Sequence, residues 1–457
     1  MAQDEPLIEL PNIPESTNPS LVGERSPLRA EAISRGGFEV DGLIPPGLEG
    51  LLMWIGPNPL VVDDVAKYTP AKGDGMVHSL SIIDASPREL SSRFIVTRSL
   101  VDRLGARPPR GPLRAGSPLA NERLVHLAGR IIALDGAGLG YRITTDLLTA
   151  CVEDFDTMLT SPMGRQVVVD PETGASAFLG LDPDGPPYVR LHQVNKRGVV
   201  TETTALPIGA TGAEPGFGAT SRTIGIVESS LLAHVPQGED DVRSEITFDP
   251  ERRPAVGLLP RGHDGSSTVW SSSEPGHVET VTSMRDTEAG ADLVVVRATP
   301  ERSGDPSWRP LGRCGTLQRL EVDAFRKRVA ITPLDDVEID GAATDASARM
   351  EDRRHAYAVT PDGSMVIAYN TSSGVAQRRQ LPEHLIADRP MFVRDPDGHN
   401  DEEGWIIVPC FDRITSSTVL LIIDGTRFLG LPQSVISLPH RLPMSLTGMG
   451  LPAHAYR

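Results

Sequence analysis

Three cysteines in 457 residues, Cys151, Cys314 and Cys410, are few, far apart and odd in number. They argue against a disulfide framework and a Cys-x-x-Cys metal knuckle, and a reducing cytoplasm is the expected compartment. Lysine is scarce too: Lys67, Lys72, Lys196 and Lys327 are the only ones, the remaining basic residues being arginine. With abundant Ala, Gly and Pro, that bias is the mark of a GC-rich bacterial genome. No apolar run approaches the roughly 20 residues a membrane helix needs, so no integral membrane segment is expected. The N-terminus, MAQDEPLIELPNIPES, lacks a basic stretch followed by an apolar one, which argues against a secretory signal. Basic charge as a whole is in deficit. Against 61 Asp and Glu stand 44 Lys and Arg, a formal net charge of -17. Such a chain repels phosphate backbones, and nucleic-acid binding is not expected.

What the sequence has is punctuation. Its 44 Gly and 40 Pro are spread along the chain rather than gathered into linkers. Between them lie short β-prone runs: RLVHLAGRIIAL, YVRLHQV, DLVVVRA, SMVIAYN, GWIIVPCF and TVLLIID. Turn signals separate them, DPETG at 170–174, DPDG at 182–185, PDGS at 361–364 and DPDG at 395–398. Each offers Asp to accept a turn hydrogen bond, Pro to preset φ and Gly for positive φ. Many short strands so spaced predict an all-β sandwich, barrel or propeller. Short helices are expected at Ser99–Leu104 and Pro382–Ile386, and no WD40-like repeat is visible. His78 lies in a turn-and-strand unit and is read as structural.

Two early segments, GLEGLLMWIGPNP and KGDGMVH, resemble the opening of the carotenoid cleavage oxygenase family. That opening reads Leu-x-Gly-x-Tyr-x-Arg-Asn-Gly-Pro-Asn-Pro, then Asp-Gly-Asp-Gly-Met-x-His. NPSLVGERSPLRAE at 18–31 is similar to the family's entry segment, and PLANERLVHLAGRIIAL at 118–134 to its Ala-Asn-Thr block. FDPERRPAVGLLPR, EEGWIIVPCFD and LPHRLPMSLTGMGLPA extend the likeness over nearly the whole chain. The resemblance implies a single domain over residues 1–457, residues 1–35 being the entry segment. Its fold would be a seven-bladed β-propeller with a dome of loops and helices over its axial face. It further implies Fe(II) held by four histidines, and an apolar tunnel leading elongated alkenes to oxidative cleavage.

The four ligand positions do not carry histidine here. The family's Pro-Met-Thr-Ala-His-Pro-x-Val-Asp-Pro-Glu-Thr-Gly corresponds to PMGRQVVVDPETG, which puts Gln166 at the first ligand. His-Asp-Phe-Ala-Ile-Thr-Glu corresponds to RTIGIVE, which puts Arg222 at the second. Pro-x-x-Val-Phe-His falls on PGHVET, with Thr280 at the third, and Pro-x-Arg-Val-Pro-x-Gly-Phe-His-Gly on PHRLPMSLTG, with Thr447 at the fourth. A guanidinium, charged at any accessible pH, repels a divalent metal. Glutamates orient the ligand histidines in the family, as metal sites generally require. Gly136 and Arg389 replace two of them, and Glu338 in VEIDG corresponds to the third. The eleven histidines form no short-range metal pattern. His234, His263 and His277 share one third of the chain without a spacing that makes them converge. His440 falls where the family carries Arg and reads as a surface or packing residue. His192, His355, His384, His399 and His454 read as loop or solvated-strand residues.

With the scaffold motifs kept and the ligands gone, the expectation is a metal-independent enzyme without a cofactor. It would be an isomerase, cyclase or lyase for a hydrophobic polyene or polyketide-like substrate, in bacterial secondary metabolism. Arg222 would stabilise developing negative charge and Glu338 would move a proton, with Gln166, Thr280 and Thr447 beside them. Arg389 and Asp135 are expected to contact substrate. The alternatives are an Arg222–Glu338 ion pair plugging the axis, a non-catalytic carrier of a lipophilic molecule, or the iron-dependent cleavage of a carotenoid or stilbene double bond. Oligomeric state is not specified by the sequence.

Overall fold

The structure is a computed structural model that describes residues 16–104, 109–110, 119–136, 138–159, 161–182, 185–209, 214–234, 245–298 and 314–455. The chain falls into two compact units, one of residues 1–154, 362–366 and 379–457, the other of residues 155–361 and 367–378.

The first unit opens with β1 (Ala32–Ser34), β2 (Glu39–Gly42), β3 (Gly50–Pro57), β4 (Gly75–Ile83) and β5 (Ser86–Phe94). After α1 (Arg98–Leu104) comes a four-stranded antiparallel sheet of β6 (Arg123–Leu127), β7 (Arg130–Leu134), β8 (Gly140–Ile143) and β9 (Thr149–Glu153).

The second unit begins with a four-stranded sheet, β10 (Met163–Val169), β11 (Ser176–Leu181), β12 (Val189–Val194) and β13 (Val200–Leu206). Next come β14 (Gly216–Ala219) and β15 (Thr223–Val227), then a separate hairpin of β16 (Leu231–His234) and β17 (Glu245–Phe248). Strands β18 (Ala255–Pro260), β19 (Val269–Ser272), β20 (His277–Asp286), β21 (Gly290–Ala298), β22 (Cys314–Asp323) and β23 (Arg328–Pro333) join β14 and β15 in a nine-stranded sheet, whose ninth strand is β24 (Ile339–Asp340). A three-stranded sheet holds β25 (His355–Val359), β26 (Met365–Asn370) and β27 (Val375–Gln380).

The chain ends in the first unit with β28 (Leu385–Ala387), β29 (Met391–Arg394), β30 (Gly404–Asp412), β31 (Ser417–Asp424), β32 (Ser434–Ser437) and β33 (Thr447–Pro452). The first five of these join β2 in a six-stranded sheet, and β33 completes the order β1-β5-β4-β3-β33.

The expected β-prone runs are all strands: RLVHLAGRIIAL is the β6–β7 hairpin, and the others form β12, β21, β26, β30 and β31. Buried strands read as continuous apolar runs. β3 has every residue buried but Pro57, and Trp54 packs with Ile407, Leu420 and Ile436 in the first unit's core. In the second unit Met284, Leu293, Val295 and Leu320 form one cluster, and Leu191, Phe217 and Ile226 belong to another. The turns behave as their chemistry requires. Asp170 accepts from Glu172 N, and Gly174 at φ +67 closes the turn onto Asp170 O. Residues 183–184 of the second turn signal lie outside the described residues.

Three expectations are corrected. Five sheets have four or more strands, against the seven blades expected. One parallel pair, Ser272 with Arg328, merges β14, β15, β18 and β19 with β20–β23, and β25–β27 stops at three strands. Pro382–Ile386 is a turn leading into β28, because Leu385–Ala387 pairs with Cys410–Asp412. The other short helix, α1, is present, and it is the one α-helix among the described residues. His192 is not solvated: it is buried in β12, bonded to Ser161 Oγ and Thr203 Oγ1, with its ring tilted on Phe178.

His78 is structural, as expected. Its Nδ1 bonds Ser92 Oγ at 2.8 Å, and the same hydroxyl lies 3.0 Å from His440 Nε2, whose Nδ1 reaches Ser34 Oγ. Burial, with His440 and Arg441 nearby, pushes the His78 pKa down to about 3, and burial pushes His440 down to about 4. The unfolded imidazoles titrate near 6.5. Between that pH and about 4 the unfolded chain therefore binds protons that the fold refuses. Stability from these groups is complete above pH ~6.5 and is lost as pH falls, by at most roughly 1.4 kcal/mol per pH unit per site. Thermal midpoints at pH 7 and 4.5 are expected to drop further for wild type than for His78→Gln. Equal drops would remove the buried imidazole as a cause.

Candidate functional site

Within the second unit, Gln166 lies on β10, almost fully buried, where β10 and β11 shift register between Met163 and Val167. Its backbone N–H donates to Glu214 Oε1 at 3.0 Å. Its side-chain amide is used at both ends: Nε2 donates to Pro215 O at 3.3 Å, and Oε1 accepts from Phe217 N at 3.2 Å. The amide thus staples β10 to the segment entering β14. Gly164 makes room for this, since a Cβ there would sit 2.5 Å from Glu214 Oε1.

Glu214 also accepts from the backbone N and Nε of Arg165, at 2.9 and 3.1 Å. The Arg165 guanidinium extends on to Glu279 Oε1 at 3.7 Å. Glu279 occupies a bulge of β20, between the pairs Val278 with Arg297 and Thr280 with Val296. A bulge re-aims its side chain, a device common beside functional sites. Glu279 Oε2 lies 3.4 Å from His277 Nε2, and His277 Nδ1 lies 2.9 Å from Ser229 Oγ. The result is a sheltered polar chain, Glu214–Arg165–Glu279–His277–Ser229, flanking Gln166 and Thr280 in sequence. Thr280 itself is half-buried.

The other proposed residues of this unit stand elsewhere. Arg222 precedes β15 with its side chain 76% exposed, and its Nε pairs with Asp286 Oδ2 at 3.3 Å. Its partner is Asp286 rather than Glu338, and Glu338 is exposed ahead of β24. The alternative of an Arg222–Glu338 ion pair is corrected accordingly. An exposed guanidinium is screened by water, which weakens the charge-stabilising role expected of Arg222.

In the first unit Thr447 opens β33 opposite Ile55. Its Oγ1 accepts from Arg389 Nη1 at 3.3 Å, and the same nitrogen reaches Leu446 O. Beside Arg389, buried Asp388 accepts from Ser445 N and Leu446 N, both at 2.8 Å. Its charge adds to burial in raising the Cys410 thiol pKa. Ser445 is held at φ +88. Asp388 and Arg389 together fix the segment that carries Thr447. Asp135 is a buried acceptor for Leu119 N at 2.6 Å and Ala120 N at 3.4 Å, which ties it to the backbone.

A family model, the retinal pigment epithelial membrane protein family, matches residues 26–449. The chain belongs to this family. It is 24% identical to a carotenoid cleavage oxygenase of Mycobacterium tuberculosis, the match covering 96% of this chain and 98% of the relative. It is 23% identical to the isoeugenol monooxygenase of Pseudomonas nitroreducens, over 95% and 98%. Among solved structures, a lignostilbene dioxygenase of Pseudomonas brassicacearum superposes with a TM-score of 0.83 at 18% identity, covering 97% of this chain and all of that one. Cobalt-substituted apocarotenoid oxygenase of Synechocystis gives 0.78, also at 18% identity, over 93% and 97%. These likenesses show an all-β, propeller-like fold. No described helix is long and apolar enough to cross a membrane.

Iron bound by four imidazoles does not fit the residues at the four positions that the sequence resemblance assigns to the ligands. Gln166 spends its amide on backbone groups, Arg222 is a cation paired with Asp286, and Thr280 and Thr447 have no nitrogen ligand to give. Among the described residues no group of three or more His, Cys, Asp or Glu side chains is placed to hold a metal ion. His78, His192, His277 and His440 are all engaged with hydroxyl groups. The sequence reading missed Arg165, Glu214, Glu279 and Asp388. Arg165 and Glu279 could have been found as charges inside strand-like runs beside two matched positions; Glu214 and Asp388 left no such signal.

The Asp388 brace is open to test. Ser445→Gly is expected to stabilise by about 1 kcal/mol, since glycine accepts positive φ without strain. Asp388→Ala is expected to cost roughly 2–3 kcal/mol, because two amides lose a charged acceptor. Guanidinium unfolding measures both. Unchanged stability in Asp388→Ala would remove Asp388 from this account.

Proposed function

We propose that the protein binds an elongated, apolar alkene of the polyene or stilbene class and transforms it. The observation that carries this reading is the end-to-end match to relatives named for carotenoid, isoeugenol and lignostilbene oxidation. A single propeller domain is part of the proposal, supported by a family model that runs almost from end to end.

Two reactions follow from different observations. The names of the relatives favour oxidation of a carbon–carbon double bond, for which iron would have to be held by residues other than the four at the matched positions. A metal-independent isomerisation, cyclisation or elimination has no named relative behind it. Its support is the chemistry of those four positions, above all the amide of Gln166 bonded to Pro215 and Phe217. In that case shape and fixed dipoles would do the work that a Lewis acid would otherwise supply.

One experiment separates these readings. Protein expressed with added iron is analysed for metal, then incubated in air with isoeugenol, a lignostilbene and an apocarotenoid while product masses are followed. Oxygen-bearing fragments with iron present establish the oxidative reading. Unchanged mass with altered retention establishes isomerisation or cyclisation. Tight binding with no new product makes the protein a carrier and ends the proposal that it transforms its ligand.

A further inference from the structure

We propose that the Arg165 guanidinium, fixed between Glu214 and Glu279, is a protein-held cation that does the tying a metal would do at the first and third matched positions, so that the fold needs no iron. The inference rests on the alignment of Gln166 and Thr280, and not on which substrate the protein takes.

The geometry is specific. Arg165 lies on β10, Glu214 just ahead of β14 and Glu279 on β20, so one side chain links three segments distant in sequence. All three are sheltered: their side chains are 18%, 3% and 11% exposed. A guanidinium suits this better than an ammonium, since its planar fork can serve two carboxylates in fixed directions. Glu279 reaches it through the β20 bulge, and His277 and Ser229 extend the network on the far side.

The residue types agree. In the family motif given above, Ala stands where this chain has Arg165, directly before the first ligand position. Phe stands where it has Glu279, directly before the third. Both changes bring a half-buried charge, of opposite sign, and the two lie 3.7 Å apart. A sheltered charge is costly to bury, and each of these two offsets part of the other's cost. Once formed, the cation offsets one of the two negative charges on carboxylates that could otherwise attract a hard metal ion, and its own charge repels such an ion.

The test uses the full-length protein and Fe(II) itself, added anaerobically, with EDTA as the opposite condition. Wild type is expected to retain well under one iron per chain and to keep its thermal midpoint under both conditions. Arg165→Met should lower the midpoint by several degrees, by removing the cation that lies between two sheltered carboxylates. The neutral combination Arg165→Met, Glu214→Gln and Glu279→Gln should recover at least half of that loss. One iron per wild-type chain with a raised midpoint would overturn the proposal, and so would an Arg165→Met protein as stable as wild type. The wild-type titration decides even where a variant fails to fold. Lack of alkene turnover leaves the inference standing, whereas iron uptake sinks it and leaves the alkene-binding reading intact.

Discussion

The first unit depends on its last strand finding one of its first. β33 pairs antiparallel with β3, from Gly50 with Pro452 to Ile55 with Thr447, and β2 pairs in the same way with β32. Closing so long a loop costs entropy that grows only logarithmically with length, so a handful of ladder bonds and buried apolar contacts can offset it. The pairing is fitted closely. Gly448 and Gly450 leave space for Met391 and Val393 of β29, and a Cβ at either position would come within 2.5 and 2.7 Å of those side chains. Thr447 is the first residue of that strand, so its position beside Arg389 follows from closure and from the Asp388 brace on Ser445 and Leu446.

Much of the fold was legible because strands and turns are local. RLVHLAGRIIAL reads as β-prone on both sides of its Ala-Gly break, and Asp-Pro-Glu-Thr-Gly supplies the aspartate acceptor and the positive-φ glycine that its turn uses. Where the reading failed, the cause was tertiary. Leu385–Ala387 became a strand because β30 offered it an edge, and His192 was buried by its packing against Phe178. Sheet boundaries were beyond a linear reading, because the single Ser272–Arg328 bridge that joins two groups of strands has no local signature.

At the candidate site the resemblance marked where to look but not which charges matter. Arg222 drew attention as a cation at a ligand position, yet its exposure leaves it a surface pair with Asp286. The sheltered cation is Arg165, one residue from Gln166, and its significance depends on Glu214 and Glu279 arriving from other strands. Family membership and local chemistry therefore speak to different questions. Membership fixes the fold and the class of molecule the relatives act on; the residues at the matched positions bear on how this chain could act.

The central claim is that an ion cluster, not an imidazole-bound metal, lies beside Gln166 and Thr280. Anomalous diffraction at the iron edge, from crystals grown with Fe(II), tests it most directly. The account predicts continuous density for Arg165 between Glu214 and Glu279 and no iron peak beside Gln166 or Thr280. An iron peak there, bonded to protein nitrogen or carboxylate, with Arg165 turned away, would contradict it.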